Sequence, residues 1–553
     1  MIEFGYYNEN SEKPVLKDNI KFIMDENEEI FISNKQLKNT KIVAKEIDFY
    51  LNNSLENTLN KAENVNLLYE ARATCFDLAK DVMHSKEIGK NIIIISNSDK
   101  NDLKTELEKN DFKVITLKHD EIKFLYGQIG EIYVNIITNN DEYEINCDIL
   151  LIENAKEYML KQSGCYEIST LKNSEILNLV KSLSPLTNYR NFITYDEKIC
   201  QYHERRHEIC GKCADICPTV AILKDDEKKQ LMFSHIDCIG CGKCVGICPT
   251  SAIDFSIMPR NSFNEITNLY KDKIILVVNK NTNFDIKIDL KPNVLPFYVD
   301  NIEFLDHVHF MTMLTQSGCS IVLYNDKFSE ITMDNINLIN QIYEIKFKTK
   351  GIYIAQNENE LKNALNSANL VPNSYFSYPF LEGNKRADFS KRLEFLIAGD
   401  DLGVVKTTQK LRYAKIRINE ETCTLCLSCV GACNVDALVA DTKDNSIKFN
   451  PSLCTACGYC TMSCAEKDTI FIDRGEIELN PSFYSYTTLA KDELFKCIEC
   501  GKEFATTKAV QKVANMMVPM FKGDEFKTKM LYCCPDCKAK LTIMKQFEES
   551  RKI

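Results

Sequence analysis

Short apolar runs alternate with helical periodicity over the first 185 residues. Between 65 and 85 the apolar side chains recur every three or four residues, as they do on one face of a helix. Residues 91–96 form an almost unbroken apolar run, which is typical of a strand inside a parallel sheet. The same two patterns predict a helix at 100–110 and strands at 114–117, 131–137 and 148–152. This alternation predicts an N-terminal α/β domain over 1–185, layered around a mostly parallel sheet.

A second block with the same alternation lies between 261 and 395. Its apolar runs predict four strands, at 274–278, 295–299, 321–324 and 352–355, with helical stretches that include 300–318 and 357–368. We therefore expect a central α/β domain. The segment 372–390 contains two prolines, a glycine and mixed charge, which is typical of a linker.

Composition and charge narrow the class of protein and its partners. The chain has 553 residues, which suggests several domains. Its formal net charge of -11 argues against binding of nucleic acid, which requires a basic surface. No apolar run approaches the roughly 18 residues of a membrane helix, and the N-terminus lacks the pattern of a signal peptide. We expect a cytoplasmic protein without a membrane span.

Cysteine spacing is the strongest chemical signal in the chain, which contains 25 cysteines. Two doublets of four-cysteine motifs occur, and three of the four motifs have the spacing C-x2-C-x2-C-x3-C. The later doublet consists of Cys423, Cys426, Cys429 and Cys433, followed by Cys454, Cys457, Cys460 and Cys464. The earlier doublet consists of Cys210, Cys213 and Cys217, followed by Cys238, Cys241, Cys244 and Cys248.

This spacing is the one that holds cubane iron-sulfur clusters. Three cysteines two residues apart surround one face of a cluster, and the fourth points away towards a neighbouring cluster. A disulfide framework belongs to small secreted domains, and zinc sites pair separated knuckles instead of four cysteines in a row. The motifs therefore predict four [4Fe-4S] clusters.

Each doublet resembles the bacterial two-cluster ferredoxin, over roughly 190–260 and 410–480. The resemblance implies a pseudo-symmetric unit of two hairpins and two short helices in which the motifs exchange their fourth cysteines. Cluster one would then be held by Cys210, Cys213, Cys248 and one upstream ligand, and cluster two by Cys238, Cys241, Cys244 and Cys217. Cluster three would be held by Cys423, Cys426, Cys429 and Cys464, and cluster four by Cys454, Cys457, Cys460 and Cys433.

The first motif departs from this pattern at its first position, where His207 replaces the expected cysteine. Two residues could supply the missing ligand: His207 itself, or Cys200 from a longer loop. Thiolate is the usual cluster ligand and imidazole is the exception that raises the potential, so we favour Cys200.

A different metal site is predicted near the C-terminus. Cys497 and Cys500 form one C-x2-C knuckle, and Cys534 and Cys537 form another. Cys533 is then not needed as a ligand. Two knuckles make a tetrahedral four-thiolate site, which we assign to zinc, with a rubredoxin-like iron as the alternative. The intervening sequence predicts a helix near 506–520.

As a whole the chain resembles proteobacterial polyferredoxins. The resemblance implies an α/β plus α+β protein in which two ferredoxin-like modules, 186–260 and 396–480, are separated by an α/β insert, 261–395, and followed by a zinc-ribbon-like domain, 481–553. It also implies a cytoplasmic carrier that passes single electrons between protein redox partners, such as a dehydrogenase or reductase, and that is associated with formate dehydrogenase or another molybdoenzyme.

Two other functions remain open at this stage. The chain could be the iron-sulfur subunit of an oxidoreductase complex with a flavin or substrate site in an α/β domain, or a maturation factor for a redox enzyme. The sequence contains no glycine-rich nucleotide motif and no spaced catalytic constellation. It therefore indicates no substrate site, and we expect an electron carrier more than an enzyme.

Overall fold

The computed structural model describes residues 1–8, 13–138, 141–207, 209–380 and 385–550. The chain divides into two compact units, Met1–Glu382 and Gly383–Ile553. Among the described residues, no helix combines the length and the apolar character needed to cross a membrane.

The first unit begins with a parallel sheet that the apolar pattern did not predict. Its strands are only four to six residues long, and polar segments separate them. The strand order is β2-β1-β3-β4, and two helices follow the sheet in sequence. These elements are β1 (Ile2–Tyr7), β2 (Ile20–Ile23), β3 (Ile30–Ser33), β4 (Thr40–Val43), α1 (Lys45–Asn53) and α2 (Thr58–Asp77).

A second parallel sheet follows, with the order β12-β11-β6-β7. Its two central strands, β11 and β6, are buried because one face packs against helices α3 and α4, and the other against an antiparallel sheet of β8, β9 and β10. The elements are β5 (Met83–Glu87), β6 (Asn91–Ile95), α3 (Asn101–Glu108), β7 (Lys113–Leu117), β8 (Ile122–Gln128), β9 (Glu131–Thr138), β10 (Asp141–Cys147), β11 (Ile149–Ile152), β12 (Cys165–Glu167), α4 (Asn173–Leu183) and β13 (Leu186–Arg190).

This part of the chain differs from the sequence prediction in three ways. The sequence pattern did not predict strands β8, β10 and β12 or helix α4. The helix expected over 65–85 ends at Asp77, because residues 83–87 form β5 and pair antiparallel with β13. The residues expected as one strand at 131–137 belong to the antiparallel sheet, which forms a layer of its own.

The first cysteine doublet forms two short hairpins and two five-residue helices. Strand β14 pairs with β17, and β15 pairs with β16, both antiparallel. This is the arrangement that the ferredoxin resemblance implies. The elements are β14 (Ile193–Tyr195), α5 (Lys212–Ile216), β15 (Ile222–Asp225), β16 (Gln230–Phe233), α6 (Lys243–Ile247) and β17 (Ile253–Phe255).

A fully parallel four-stranded sheet with the order β19-β18-β20-β21 completes the first unit. All four predicted strands are present, and every residue of helix α8 is buried. The elements are α7 (Arg260–Asn268), β18 (Ile274–Asn279), β19 (Val294–Val299), α8 (His307–Ser317), β20 (Ile321–Tyr324), α9 (Glu330–Phe347), β21 (Ile352–Ala355) and α10 (Glu358–Ser367).

The second unit contains the second doublet. The expected linker, 372–390, lies partly outside the described residues, and its last part belongs to helix α11, which has a mostly buried surface. The elements are α11 (Lys385–Ile397), β22 (Val404–Lys406), β23 (Ala414–Ile418), α12 (Ser428–Gly431), β24 (Leu438–Asp441), β25 (Ser446–Phe449), α13 (Tyr459–Ser463), β26 (Ile470–Arg474), β27 (Glu476–Glu478) and β28 (Thr487–Lys491).

The second unit ends in a small module with one hairpin and three helices. The predicted helix near 506–520 is present as α14. The elements are β29 (Leu494–Lys496), β30 (Glu503–Thr506), α14 (Thr507–Met517), α15 (Glu525–Leu531) and α16 (Pro535–Ser550).

Candidate iron-sulfur and metal sites

The four short helices of the doublets place the cysteines in the same way. In each motif the third cysteine lies in the helix, and in three of them the fourth cysteine follows the last helical residue. The residue before each of the four helices has a left-handed backbone conformation. In chain order these residues are Gly211, Gly242, Leu427 and Gly458. Glycine adopts this conformation without steric cost, so three of the four loops turn easily around a buried group.

The thiols expected for cluster one line a single cavity. Cys200, Cys210, Cys213 and Cys248 surround it, and apolar side chains such as Leu231 and Ile253 close it. The backbone N–H of Tyr202 donates a hydrogen bond to the sulfur of Cys200 at 3.4 Å. Donation of this kind stabilises a thiolate bound to iron.

His207 lies elsewhere in the described structure. Its side chain is exposed and does not contribute to the walls of the cluster-one cavity, whereas Cys200 is 7% exposed and does. The structure therefore brings Cys200, and not His207, to the other three cysteines.

The cysteines expected for cluster two also lie together. Burial raises the pKa of the Cys244 thiol well above its usual range, and the nearby thiols of Cys241, Cys238 and Cys217 raise it further. Cys217 belongs to the first motif, so the two motifs exchange their fourth cysteines in space.

The second unit repeats this arrangement. Cys423, Cys426, Cys429 and Cys464 line one cavity. Burial raises the pKa of the Cys460 thiol, and the thiols of Cys454, Cys457 and Cys433 raise it further. The backbone N–H of Ala456 donates to the sulfur of Cys454 at 3.4 Å.

These four sets of cysteines suit iron-sulfur clusters better than any other metal centre. Each has four thiols, the soft ligands that iron in a cubane cluster requires. Burial raises the pKa of Cys454 and of Cys429 to about 12, so binding of iron has to displace protons from these sulfurs.

Two buried arginines that sequence reasoning missed lie near the cysteines. Arg260, at the start of α7, forms an ion pair with Asp306 at 2.6 Å, and both side chains are almost completely buried. Cys248 is close enough to contribute to the raised pKa of Arg260. In the second unit, the Arg386 guanidinium stacks 3.7 Å from the Tyr413 ring centroid and donates to the carbonyl oxygen of Leu411.

The C-terminal knuckles form a compact four-thiol group. The sulfurs of Cys497, Cys500, Cys534 and Cys537 all lie within 4.8 Å of one another. Burial raises the pKa of the Cys497 thiol, but hydrogen bonds from the backbone, first among them that of Cys534, outweigh this effect and lower the pKa to about 6. Cys533 is buried and directs its S–H to the carbonyl oxygen of Lys529. The geometry suits a tetrahedral metal ion, zinc or iron.

Comparison with known families supports the two doublets. Residues 208–252 match a family described as a 4Fe-4S dicluster domain, and residues 415–465 match a second family of the same description. No curated protein matches the chain. The chain thus contains two 4Fe-4S dicluster domains, which together imply about four [4Fe-4S] clusters. The first match begins after both Cys200 and His207, so it does not distinguish between them as the fourth ligand of cluster one.

Proposed function

We propose that the protein is a polyferredoxin, an electron carrier that moves single electrons through four [4Fe-4S] clusters between protein redox partners. The observation that carries the proposal is the grouping of sixteen cysteines into four sets of four, each set drawn from both motifs of a doublet or from the loop before it. Four buried thiols in one place indicate a bound metal, and the C-x2-C-x2-C-x3-C spacing with exchange of the fourth cysteine is the pattern of a pair of cubane iron-sulfur clusters.

The ligand sets follow from these groups. Cluster one is held by Cys200, Cys210, Cys213 and Cys248, and cluster two by Cys217, Cys238, Cys241 and Cys244. Cluster three is held by Cys423, Cys426, Cys429 and Cys464, and cluster four by Cys433, Cys454, Cys457 and Cys460. Ligation by cysteine alone gives the more negative range of potentials, which suits transfer from a low-potential dehydrogenase, and we place formate dehydrogenase or another molybdoenzyme first among the partners.

The chain is acidic overall, and this charge bears on the partner. An acidic carrier associates fastest with a basic patch on its redox partner, since opposite charges steer the encounter. Raising the ionic strength should therefore slow electron transfer to the partner without changing the cluster content.

Metal analysis of anaerobically purified protein tests the proposal. We expect about sixteen iron, about sixteen acid-labile sulfide and about one zinc for each chain, with the EPR signals of coupled reduced clusters after dithionite treatment. Little iron and several zinc atoms would mean that the doublets are structural sites, and the proposal would fail.

A further inference from the structure

A large cavity in the first unit belongs to none of the cysteine sites. Its volume is about 630 Å³, within the size range of sites for small organic molecules. Several parts of the unit line it: strand β4 with helices α1 and α2 and the segment after α2, the strand pair β5 and β13, strand β17 with the loop that follows it, and helix α7 with strand β19. Sequence reasoning could not find it, because its lining residues lie between positions 41 and 300.

The deep wall of this cavity is apolar and largely aromatic. Phe255, Ile266, Tyr270 and Phe297 form this wall, and each is no more than 2% exposed because it also belongs to the core. The exposed side chains of Phe76 and Met83 supply the accessible apolar surface of the lining. An apolar wall of this kind favours a ligand with a flat hydrophobic face.

A flat polar surface lies beside the apolar wall. The guanidinium of Arg72 stacks 3.4 Å from the centroid of the Tyr298 ring. Its Nε and Nη2 atoms donate to both carboxylate oxygens of Glu46, at 2.5 Å and 2.9 Å. The ion pair fixes the plane of the guanidinium and neutralises its charge. A planar conjugated molecule could stack here without needing a charge of its own.

The rim of the cavity carries both signs of charge. Lys41 and Arg190 lie on it together with Asp81 and Asp300, and Arg190 pairs with Asp81 at 3.3 Å. This balance disfavours a strongly anionic ligand such as a dinucleotide, whose phosphates need an excess of cationic or N–H donors. It suits the hydrogen-bonding edges of an uncharged ring.

The cavity adjoins both clusters of the first dicluster domain. Ile253 of β17 lines the cluster-one cavity, and Phe255, two residues along the strand, lines the large cavity. Two residues of a strand span about 7 Å. Met83 and Arg190 line the large cavity and also a groove that contains Cys238 of cluster two. Only these few side chains would separate a ring in the cavity from the two cysteine groups.

We propose that this cavity binds a planar conjugated ring that accepts two electrons, of the chemistry shared by quinones and the flavin ring, and that clusters one and two reduce it. When loaded and reduced, the clusters that the two cysteine groups of this unit would hold could supply one electron each. The ring takes the two electrons and two protons from water at the rim, so that two C=O groups become C–OH, or two ring nitrogens become N–H. The electron supply rests on the proposed function, whereas binding of the ring does not.

No covalent bond to the protein is part of this proposal. Cys75 lines the cavity, but burial raises the pKa of its thiol to about 12, and its S–H points to the carbonyl oxygen of Ile257 at 3.4 Å. The thiol stays protonated at neutral pH and is a poor nucleophile. The ring is therefore held by stacking and hydrogen bonds alone.

Binding of two probes to the full-length protein, purified anaerobically, tests the site. Riboflavin binding is followed by quenching of its fluorescence, and binding of the naphthoquinone menadione by equilibrium dialysis. Ala79 follows helix α2 and lines the cavity, so Ala79→Phe adds a ring to the lining. Ala73→Phe, in α2 and outside the lining, is the control, because both alanines are half-buried. We expect one probe or both to bind, Ala79→Phe to weaken binding by about tenfold or more, and Ala73→Phe to leave it unchanged.

A second variant tests the site independently, in case Ala79→Phe does not fold. Arg72→Lys keeps the ion pair with Glu46 but removes the flat guanidinium, so we expect weaker binding of the same probe. Failure of both probes to bind to the wild type, or equal binding by Ala79→Phe and Ala73→Phe, would overturn the site. Binding of riboflavin alone or menadione alone identifies the ring as a flavin or a quinone.

The electron step has its own measurement. Protein that has been reduced with dithionite and freed of the excess reductant is mixed with the probe that binds, and the return of cluster absorbance is followed by stopped flow. Reoxidation should slow in Ala79→Phe in proportion to its weaker binding, while reoxidation by ferricyanide, which reacts at the surface, stays unchanged. An unchanged rate with the bound probe would overturn the electron step. A protein without clusters would contradict the proposed function, and the binding measurements would still decide the site.

Discussion

At the scale of single residues, two side chains that are close in sequence, Cys200 and His207, could supply the fourth ligand of cluster one. Cys200 is buried in the wall of the cavity that Cys210, Cys213 and Cys248 share, and His207 is exposed away from it. Both residues are close enough in sequence to close the site. The path of the loop decides between them, because it turns the Cys200 side chain inwards.

We expect Cys200→Ser to lose or alter cluster one and His207→Gln to leave it unchanged. Serine is a harder and weaker ligand for cluster iron, so the iron content should fall from about sixteen to about twelve. Iron analysis and EPR of the reduced proteins measure the effect. Loss of a cluster in His207→Gln with full iron in Cys200→Ser would reverse the assignment.

The buried ion pair of Arg260 with Asp306 gives a prediction for stability. Arg260→Met leaves the Asp306 carboxylate without its cation in a site where it is fully buried, which costs about 3–5 kcal/mol. Anaerobic urea denaturation measures the loss. The control is Lys123→Met, which removes an exposed pair with Glu142 and should cost less than about 1 kcal/mol. Similar losses in the two variants would refute the argument.

At the scale of elements, the loops before the short helices depend on tight backbone turns. Gly242 has a φ of 77°, and a Cβ atom there would lie 2.6 Å from the Cβ of Phe304. Gly458 holds the equivalent place in the second doublet, but the atom nearest to its added Cβ is the end of the flexible Arg474 side chain. The two positions share a conformation and differ in their room for a side chain.

Gly242→Ala should therefore do more damage than Gly458→Ala. In both variants the left-handed backbone lowers the free energy of unfolding by about 1 kcal/mol, because alanine has a Cβ atom. Only Gly242→Ala also has to displace the segment around Phe304. We expect loss of cluster two in the first variant and nearly full iron in the second. Comparison of iron content and of denaturation midpoints checks this order, and equal effects would show that the contact with Phe304 is unimportant.

The C-terminal knuckles organise a module with little core of its own. Its buried cluster consists of Cys497, Cys533 and Cys534, with Phe504, Cys537 and Leu541 packed against them. Helix α16 has no buried residue among those described. In such a small module, binding of the metal supplies much of the folding free energy.

Cys497→Ser should release the metal and unfold this module while the four clusters remain. The measurements are zinc content, helical circular dichroism and cluster absorbance. Cys533→Ala is the matched control, because Cys533 is buried beside the site but is not one of its four thiols, and it should keep the metal. Metal loss in Cys533→Ala, with retention in Cys497→Ser, would mean that the ligand set is wrong.

At the scale of the whole molecule, the chain contains two units that each enclose one dicluster domain. The first extends from Met1 to Glu382 and the second from Gly383 to Ile553. Each has its own buried core and its own complete cysteine groups, as expected of domains that fold independently.

Separate expression of residues 1–380 and 385–553 should yield two folded proteins, each with about eight iron, and zinc only in the second. Iron and zinc analysis together with EPR provides the check. A fragment that aggregates without iron would show that its clusters need the other unit.

The sequence by itself determined the iron-sulfur chemistry, all four strands of the central α/β block and four strands of the N-terminal block. The four-cysteine motifs and apolar runs such as 91–95 are local patterns that local geometry suffices to interpret, and the two C-x2-C knuckles indicate a four-thiol site for zinc or iron. Only the tertiary structure decided that Cys200 faces the first cluster cavity, that an antiparallel sheet covers β6 and β11, and that Arg72 stacks on Tyr298. Contacts between residues far apart in the chain make these features, and their energies depend on packing that no local pattern records.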